Sequence, residues 1–229
     1  MRTTKLAEEF IKTFNIHKII EEKPKSGQKQ VYIVEIDDSI FALKIIPTAD
    51  ERIARELNIY ERFKDNSGIP NVINVQTYGD ELVVIEEFIE GDDLSHIASQ
   101  YINNSNKTRY LIADIAHILA PVWNNRCIHR DLKPQNIIIK SDGHPVVLDF
   151  GIARDLDDET ITPTGFQPFT WTFGSPEQYF FRKDQISYRT DFFCLGIIAY
   201  YLYTGKLPFG RSRSAVAESF MQPQKNYDV

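Results

Sequence analysis

Residues 128–136 read IHRDLKPQN, and residues 148–151 read LDFG. These two runs place two carboxylates, a carboxamide and a lysine in a short part of the chain. Transfer of a phosphoryl group needs a carboxylate directed at the accepting hydroxyl and oxygen ligands for magnesium, with little covalent help from the protein. The two runs therefore predict a site of phosphoryl transfer. Its candidate residues are Asp131, Lys133, Asn136 and Asp149.

A β-hairpin is predicted between the two runs. The apolar residues 137–139 (III) and 145–148 (PVVL) are typical of strands, and residues 141–144 (SDGH) are typical of a turn. Because the two strands of a hairpin are neighbours, we expect Asn136 and Asp149 to lie at the ends of adjacent strands.

The order HRDLxxxN followed by DFG resembles the signature of the Hanks-type, eukaryotic-like Ser/Thr protein kinases, over about residues 15–210. The resemblance is to a small bacterial-type member with a shortened C-terminal lobe. It implies an α+β, bilobal protein-kinase-like fold, with a small antiparallel sheet plus one helix ahead of a mainly helical lobe. It also implies transfer of the γ-phosphoryl group of ATP to hydroxyls of a protein substrate, with magnesium, or manganese, as the metal.

The resemblance also implies a role for each residue of the motif. Asp131 would orient and deprotonate the substrate hydroxyl, and Lys133 would neutralise the phosphoryl group in transit. Asn136 and Asp149 would hold the metal ion.

The composition limits the partners and the location. The 229 residues include 26 Lys and Arg against 32 Asp and Glu, a net charge of -6, which predicts no nucleic-acid partner and no membrane partner. Cys127 and Cys194 lie in apolar runs and predict buried thiols in a reducing compartment, the cytoplasm. The longest apolar run, residues 195–203, is shorter than a membrane span of about 20 residues, and the N-terminus lacks the pattern of a secretory signal.

Hydrophobic periodicity predicts a small sheet followed by helices. An amphipathic helix is expected over residues 3–14 and a second helix over residues 50–64. Strands are expected at residues 16–21, 31–36, 40–46, 72–78 and 82–88, and later helices at residues 94–100, 108–124 and 190–204. We interpret residues 1–229 as a single protein kinase domain, with an N-lobe (1–87), a hinge (88–91) and a C-lobe (92–229).

Residues 41–44 (FALK) resemble the strand whose lysine holds the α- and β-phosphates of ATP. Lys44 is therefore the candidate phosphate ligand, and Ala42 is a candidate contact of the nucleotide. The lysine of this family is fixed by a carboxylate on the following helix. Glu56 fits that position best, and Glu51 is the alternative.

The glycine-rich loop is where the sequence departs most from the family. Aligned on Val31, a further candidate nucleotide contact, the three glycine positions fall on Pro24, Ser26 and Lys29, and the one glycine present is Gly27. Glycine permits a close approach of the backbone to phosphate, and proline does not. We therefore expect weak nucleotide binding or an unusual loop, in which Lys25 and Lys29 either contact phosphate or are simply solvated.

Residues 84–91 (VIEEFIEG) resemble the hinge that binds adenine. By the family register, the Glu87 carbonyl and the Ile89 amide would hydrogen-bond the base. Glu86 would then stand at the back of the pocket. A buried unpaired charge is costly, so this placement requires either a partner for Glu86 or a register shifted by one residue.

Residues 174–177 (GSPE) stand where the family has APE, at the end of an activation segment. Counted back from this element, Thr170 has the position of a threonine that bonds the catalytic aspartate and lysine. Arg130 resembles the arginine that binds a phosphorylated residue of this segment. Asp191 resembles the aspartate that braces the catalytic loop. The candidate phosphorylation sites are Thr160, Thr162 and Thr164.

Twenty residues follow the LPF run at residues 207–209, fewer than the family usually has. This predicts an abbreviated C-lobe. Either the chain is a minimal kinase, or a second copy of the chain or a partner subunit covers the apolar surface that the missing helices would leave exposed. The arginine that pairs with the equivalent of Glu177 has no clear counterpart in the sequence.

Three functions fit these features. An active Ser/Thr kinase is favoured, because every chemical group is present. A pseudokinase-like nucleotide-binding or scaffold module would explain the altered glycine loop. A small-molecule kinase is disfavoured by Lys133 and by the GSPE element.

Overall fold

The structure is a computed structural model that describes residues 6–24, 29–48, 52–150, 154–155 and 170–221. It contains two compact units. The first comprises residues 1–53 and 70–89, and the second comprises residues 54–69 and 90–229. The chain thus passes from the first unit to the second within the predicted hinge, between Ile89 and Glu90.

The described residues combine antiparallel strands with helices, which confirms the predicted α+β class. The strands are β1 (Ile16–Glu22), β2 (Gln30–Ile36), β3 (Ser39–Pro47), β4 (Val72–Tyr78), β5 (Glu81–Glu87), β6 (Asp92–Asp93), β7 (Cys127–Ile128), β8 (Ile137–Ile139), β9 (Pro145–Val147) and β10 (Arg154–Asp155). The α-helices are α1 (Glu8–Thr13), α2 (Arg52–Arg62), α3 (Leu94–Ile97), α4 (Ser105–Asn124), α5 (Pro176–Tyr179), α6 (Tyr188–Thr204) and α7 (Arg213–Met221). Short 3-10 helices cover Ala98–Tyr101, Pro134–Asn136 and Lys183–Gln185.

The first unit contains the predicted five-stranded sheet, with strand order β1-β2-β3-β5-β4. All four strand pairs are antiparallel. Strand β4 is an edge strand, and most of its residues are exposed, including Ile73 and Val75. Successive side chains of a strand point to opposite faces, so each face of this sheet has its own set of residues.

Helix α1 packs on one face of the sheet. Phe10 is buried, and its ring lies 4.5 Å from that of Phe14 and 5.0 Å from that of Tyr78. These rings share a core with Leu43 and Ile85 of the central strands. The helix predicted over residues 3–14 is therefore present, its described part is Glu8–Thr13, and its role is packing.

The second unit is mainly helical around α4 and α6. Helix α6 begins with a reciprocal cap between Ser187 and Thr190 and ends at Gly205, whose φ of 70° suits glycine. Strands β8 and β9 pair antiparallel, with Ile137 opposite Val147. The predicted hairpin is therefore confirmed.

Helix α2 is found at Arg52–Arg62 within the span predicted for it, and residues 54–69 group with the second unit. Its Ile59 and Tyr60 side chains are buried. Among the helices that the structure describes, none is both long enough and apolar enough to cross a membrane.

Candidate active site

Asp131 lies at the centre of a polar cluster in the second unit. Its Oδ2 atom accepts hydrogen bonds from Lys133 Nζ at 2.6 Å and from Asn136 Nδ2 at 3.2 Å. Lys133 Nζ also donates to Thr170 Oγ1 at 3.0 Å, and the Thr170 backbone N–H donates to Asp131 Oδ1 at 3.3 Å. The side chains of Asp131 and Lys133 keep 14% and 19% exposure, so the cluster is partly open to a ligand.

The backbone of this loop is held by a buried carboxylate on helix α6. Asp191 accepts the backbone N–H of His129 at 2.9 Å and that of Arg130 at 2.9 Å, and it also accepts the indole N–H of Trp123 at 2.8 Å. Burial raises the pKa of the Asp191 carboxyl, and these donors oppose the rise. The predicted bracing role of Asp191 is confirmed.

His129 links the loop to the end of strand β9. The Asp131 backbone N–H donates to His129 Nδ1 at 3.2 Å, so Nδ1 is the unprotonated nitrogen. The other nitrogen, Nε2, is therefore protonated and donates to the Leu148 carbonyl at 3.0 Å. The His129 ring also packs against Phe150, with 4.6 Å between the ring centroids. The imidazole thus serves as a buried connector between the two sequence motifs.

Asn136 and Asp149 lie next to the hydrogen-bonded backbone of the β8–β9 hairpin. The Leu148 N–H donates to the Asn136 carbonyl at 2.8 Å, which extends the β8–β9 pairing to the two predicted metal ligands. Asn136 Nδ2 donates to the Asp131 carbonyl at 2.9 Å, so the amide oxygen of Asn136 points away from Asp131. An amide oxygen and a carboxylate are the hard oxygen ligands that magnesium prefers, so these residues fit the metal.

Arg130 and Asp149 have positive φ values, 71° and 64°. Few non-glycine residues adopt this region, and such backbone persists only where its surroundings hold it. At Arg130, Asp191 accepts a hydrogen bond from the backbone N–H, and Gln178 donates one to the backbone carbonyl.

Gln178 is a further residue of the site, and the sequence motifs did not predict it. This buried side chain donates from Nε2 to the Arg130 carbonyl at 2.6 Å, and its Oε1 accepts the Ser175 backbone N–H at 3.1 Å. Gln178 therefore connects the end of the predicted activation segment to the catalytic loop. Its position directly after the GSPE run is the only signal the sequence offers.

Glu177 has a partner that the sequence did not suggest. Its Oε1 accepts a hydrogen bond from Thr190 Oγ1 at 2.6 Å. The same hydroxyl accepts the Ser187 backbone N–H at 3.2 Å as part of the α6 cap. Glu177 thus has a neutral partner on helix α6, where the family pattern predicted an arginine.

Lys44 lies in the first unit, on the sheet face opposite the one that helix α1 covers. In the strand registers Val31 pairs with Lys44, Lys44 pairs with Val84, and Ala42 pairs with Glu86. Directly paired residues and residues two apart share a face, so the predicted nucleotide contacts Val31, Ala42 and Lys44 lie together.

Glu86 shares this face, and it is ion-paired with Lys44. The Lys44 Nζ atom lies 2.6 Å from Glu86 Oε2. Of the two explanations considered for a carboxylate at this position, the structure supports the one in which Glu86 has a partner.

At the end of β5, Glu87 is fixed by Asn71. The Glu87 backbone N–H donates to the Asn71 carbonyl at 2.8 Å, and Glu87 Oε2 accepts the Asn71 backbone and side-chain N–H groups at 3.2 Å each. Ile89 follows and is half-buried. A Cβ atom at Gly91 would collide with the Ile139 carbonyl oxygen, which explains the glycine that ends the predicted hinge.

Glu56 is buried in the second unit, where Tyr60 donates its hydroxyl to Glu56 Oε1 at 3.4 Å. The pairing of Lys44 with Glu56 stays a prediction. Several other candidates lie outside the described residues, namely Lys25, Ser26, Gly27, Glu51, Thr160, Thr162 and Thr164.

The fold and the grouping of Asp131, Lys133, Asn136 and Asp149 define a protein kinase domain. The family model described as "Protein kinase domain" matches residues 26–228, and the chain belongs to this family.

Similar proteins include several bacterial serine/threonine-protein kinases. The chain is 29% identical over 208 residues to PrkC of Bacillus subtilis, covering 86% of this chain and 32% of the relative. It is 32% identical over 172 residues to PknA of a Nostoc species, covering 72% of this chain and 30% of the relative. It is 29% identical over 198 residues to PknH of Mycobacterium bovis, covering 81% of this chain and 32% of that relative. The chain thus spans about a third of the length of these relatives.

Proposed function

We propose that this chain transfers the γ-phosphoryl group of ATP to serine or threonine hydroxyls of a protein substrate. The observation that carries the proposal is the joint contact of Asp131, Lys133 and Thr170 in a partly open position. The bacterial relatives are named as serine/threonine-protein kinases, which supports the same acceptor.

Asp131 is the proposed general base. Its carboxylate would accept the proton of the substrate hydroxyl while that oxygen attacks phosphorus. The ammonium group of Lys133, 2.6 Å from the same carboxylate, would offset the negative charge of the γ-phosphoryl group while that group passes from the leaving oxygen to the attacking oxygen. Thr170 would keep Lys133 in place through its hydroxyl.

Asn136 and Asp149 are the proposed ligands of magnesium, with manganese as an alternative. The bound metal would supply charge neutralisation for the β- and γ-phosphates. The oxygen atoms that the two side chains carry, and the backbone hydrogen bond from Leu148, the neighbour of Asp149, to the Asn136 carbonyl, support this assignment.

The proposed nucleotide contacts are on the sheet face opposite helix α1 and along the end of β5. Lys44 would bind the α- and β-phosphates, with Glu56 as its predicted helix partner, and Val31 and Ala42 would contact the base. The Glu87 carbonyl and the Ile89 amide would receive adenine, and Gly27 would approach the phosphates. The shared face of Val31, Ala42 and Lys44 supports the first part of this arrangement.

Autophosphorylation on Thr160, Thr162 or Thr164 is proposed as regulation, with Arg130 binding the phosphate. Residues 130 and 178 already tie the catalytic loop to the end of that segment. The proposed location is the cytoplasm, because both cysteines are free thiols and buried. Contact with a second copy or with a partner subunit stays a prediction.

The test is incubation of the purified chain with labelled ATP, magnesium and a basic protein substrate, followed by identification of the labelled amino acids. Labelled phosphoserine or phosphothreonine is expected. Asp131→Asn should lower turnover by roughly 10²–10⁴-fold with ATP affinity retained. Asp114→Asn, on an exposed part of helix α4, is the matched control and should behave as the parent. Equal turnover of the Asp131→Asn and Asp114→Asn variants would contradict the mechanism.

A further inference from the structure

We propose that Glu86 is a positioning residue for Lys44, so that the phosphate-binding ammonium group is held by a carboxylate of its own sheet. The inference rests on the proposed function of Lys44 in ATP binding. It adds a role for a residue that the family pattern places only at the back of the adenine pocket.

The first support is the register of strands β3 and β5. Lys44 of β3 is paired with Val84 of β5, and Glu86 follows Val84 by two residues in β5. Residues related in this way are diagonal neighbours on one face, at a Cβ separation of about 7–8 Å that long side chains can bridge. The 2.6 Å contact between Nζ and Oε2 is therefore a product of the sheet register.

The second support is burial. The side chains of Lys44 and Glu86 are 10% and 5% exposed. Solvent-exposed ion pairs are worth little, because water and salt screen them. A buried pair differs, since removal of one partner leaves an uncompensated charge in a poorly solvated position. The pair should therefore persist in solution.

The third support is the chemistry of lysine. A lysine side chain has a flexible four-carbon stem and an ammonium group with three donors. One of these donors can remain on Glu86 while another is directed at a phosphate oxygen. Glu86 would thus restrict the stem before the nucleotide arrives, so that the ammonium group is in place for the chemical step.

The arrangement has a kinetic consequence that separates positioning from simple binding. Loss of the Glu86 charge removes a negative group close to the phosphates, so ground-state affinity for ATP should not fall. Loss of the contact removes one restraint on Lys44, and a less precisely placed group lowers the rate of the chemical step. A lower kcat without a higher KM for ATP is the expected signature.

The first experiment tests the pair without any need for activity. Thermal unfolding would be measured for the parent, Lys44→Met, Glu86→Gln and the double variant. We expect both single variants to lower Tm and the double variant to lower it by clearly less than the sum of the two shifts. Additive shifts would overturn the inference, because the two side chains would then not be coupled.

The second experiment measures kcat and the KM for ATP of Glu86→Gln, with Glu81→Gln at the exposed start of the same strand as the matched control. We expect kcat to fall about 10-fold or more in Glu86→Gln with KM for ATP equal or lower, and no change in Glu81→Gln. An unchanged kcat, or a raised KM alone, would overturn the inference. If Glu86→Gln does not fold, Glu86→Leu replaces it, with the same expectations.

The two experiments also separate this inference from the proposed function. A parent protein that binds ATP and magnesium but transfers no phosphate would contradict the proposed function. The unfolding cycle would still decide whether Glu86 holds Lys44. If the parent has normal kinase activity but the Tm shifts of the two single variants are additive, the proposed function stands and the positioning role of Glu86 is rejected.

Discussion

At Asp131, two side chains and one backbone amide converge on a single carboxylate. Lys133 and Asn136 donate to Oδ2, and the Thr170 backbone N–H donates to Oδ1. The proposed general base is thus restrained by three hydrogen bonds before a substrate binds. Restraint of this kind lets a side chain act without reorganisation at the moment of reaction.

Thr170→Val tests whether the hydroxyl contributes to this restraint. The change keeps the shape of the side chain and removes the acceptor of the Lys133 hydrogen bond. We expect kcat to fall roughly 10- to 100-fold with the KM for ATP unchanged, because Lys133 loses one of the two side-chain hydrogen bonds that it makes within the described part of the chain. Steady-state kinetics would measure both constants.

Thr108→Val is the matched control for that variant. The Thr108 hydroxyl is buried and has no hydrogen-bond partner among the described residues. Its removal should leave kcat unchanged. Similar kinetics for the two valine variants would show that the Thr170 hydroxyl has no part in the reaction.

The burial of the two cysteine thiols predicts that they react slowly in the native protein. Both thiols are buried, and burial, with the nearby Asp191 carboxylate, raises the pKa of Cys194 well above its usual value. Because the thiolate is the reactive form, a raised pKa keeps Cys194 protonated and unreactive at neutral pH. A disulfide-exchange reagent should titrate no thiol in the native protein at pH 8 and both thiols in guanidinium chloride. Rapid native reaction of either cysteine would contradict the burial.

At the level of elements, the hairpin of β8 and β9 and the strands of the first unit could be predicted from local pattern alone. Each is a short apolar run between turn residues, and each lies where the pattern placed it. The end of α2 and the start of α1 differ from the predicted positions by a few residues, since helix ends depend on caps and packing.

The side-chain pairs could not be predicted, because they depend on which elements become neighbours. Lys44 meets Glu86 only through the β3–β5 register, and Gln178 reaches the Arg130 carbonyl across 48 residues of sequence. The family pattern predicted an arginine as the partner of Glu177, and the structure gives Thr190 as a partner instead. The ion pair of Lys44 with Glu86 was not predicted as such, and the pairing of Lys44 with Glu56 stays a prediction. Sequence order specifies the elements, and packing specifies these contacts.

Gln178→Leu tests the connection between helix α5 and the catalytic loop. The variant removes the donor to the Arg130 carbonyl, and a buried group left without its partner costs about 1–3 kcal/mol. We expect Tm to fall by about 2–10 °C, and kcat to fall as well, because the backbone next to Asp131 is less restrained. Calorimetry and steady-state kinetics are the measurements. The exposed Gln185→Leu should change neither quantity.

At the level of the whole molecule, ligand binding should couple to unfolding. A nucleotide at 100 times its dissociation constant stabilises the folded state by about 2.7 kcal/mol, which corresponds to a rise in Tm of about 5–10 °C for a chain of this size. We expect ATP with magnesium to produce such a rise and EDTA to remove most of it. A rise that is insensitive to EDTA would contradict a metal-dependent site.

Asp149→Asn should remove the magnesium-dependent part of that rise, because the lost charge is on a proposed metal ligand. The neighbouring hairpin offers a control in Asp142→Asn, which lies in the exposed turn between β8 and β9. This second variant should retain the full response to magnesium.

The exposed edge strand β4 has a consequence for handling the protein. An unpaired strand edge with apolar side chains is a template for pairing with another chain, and Ile73 and Val75 are 55% and 39% exposed. Heated, concentrated samples should therefore form aggregates that begin at this edge. Val75→Lys should raise the temperature at which light scattering increases, while Ser141→Lys, which adds the same charge in an exposed turn, should not.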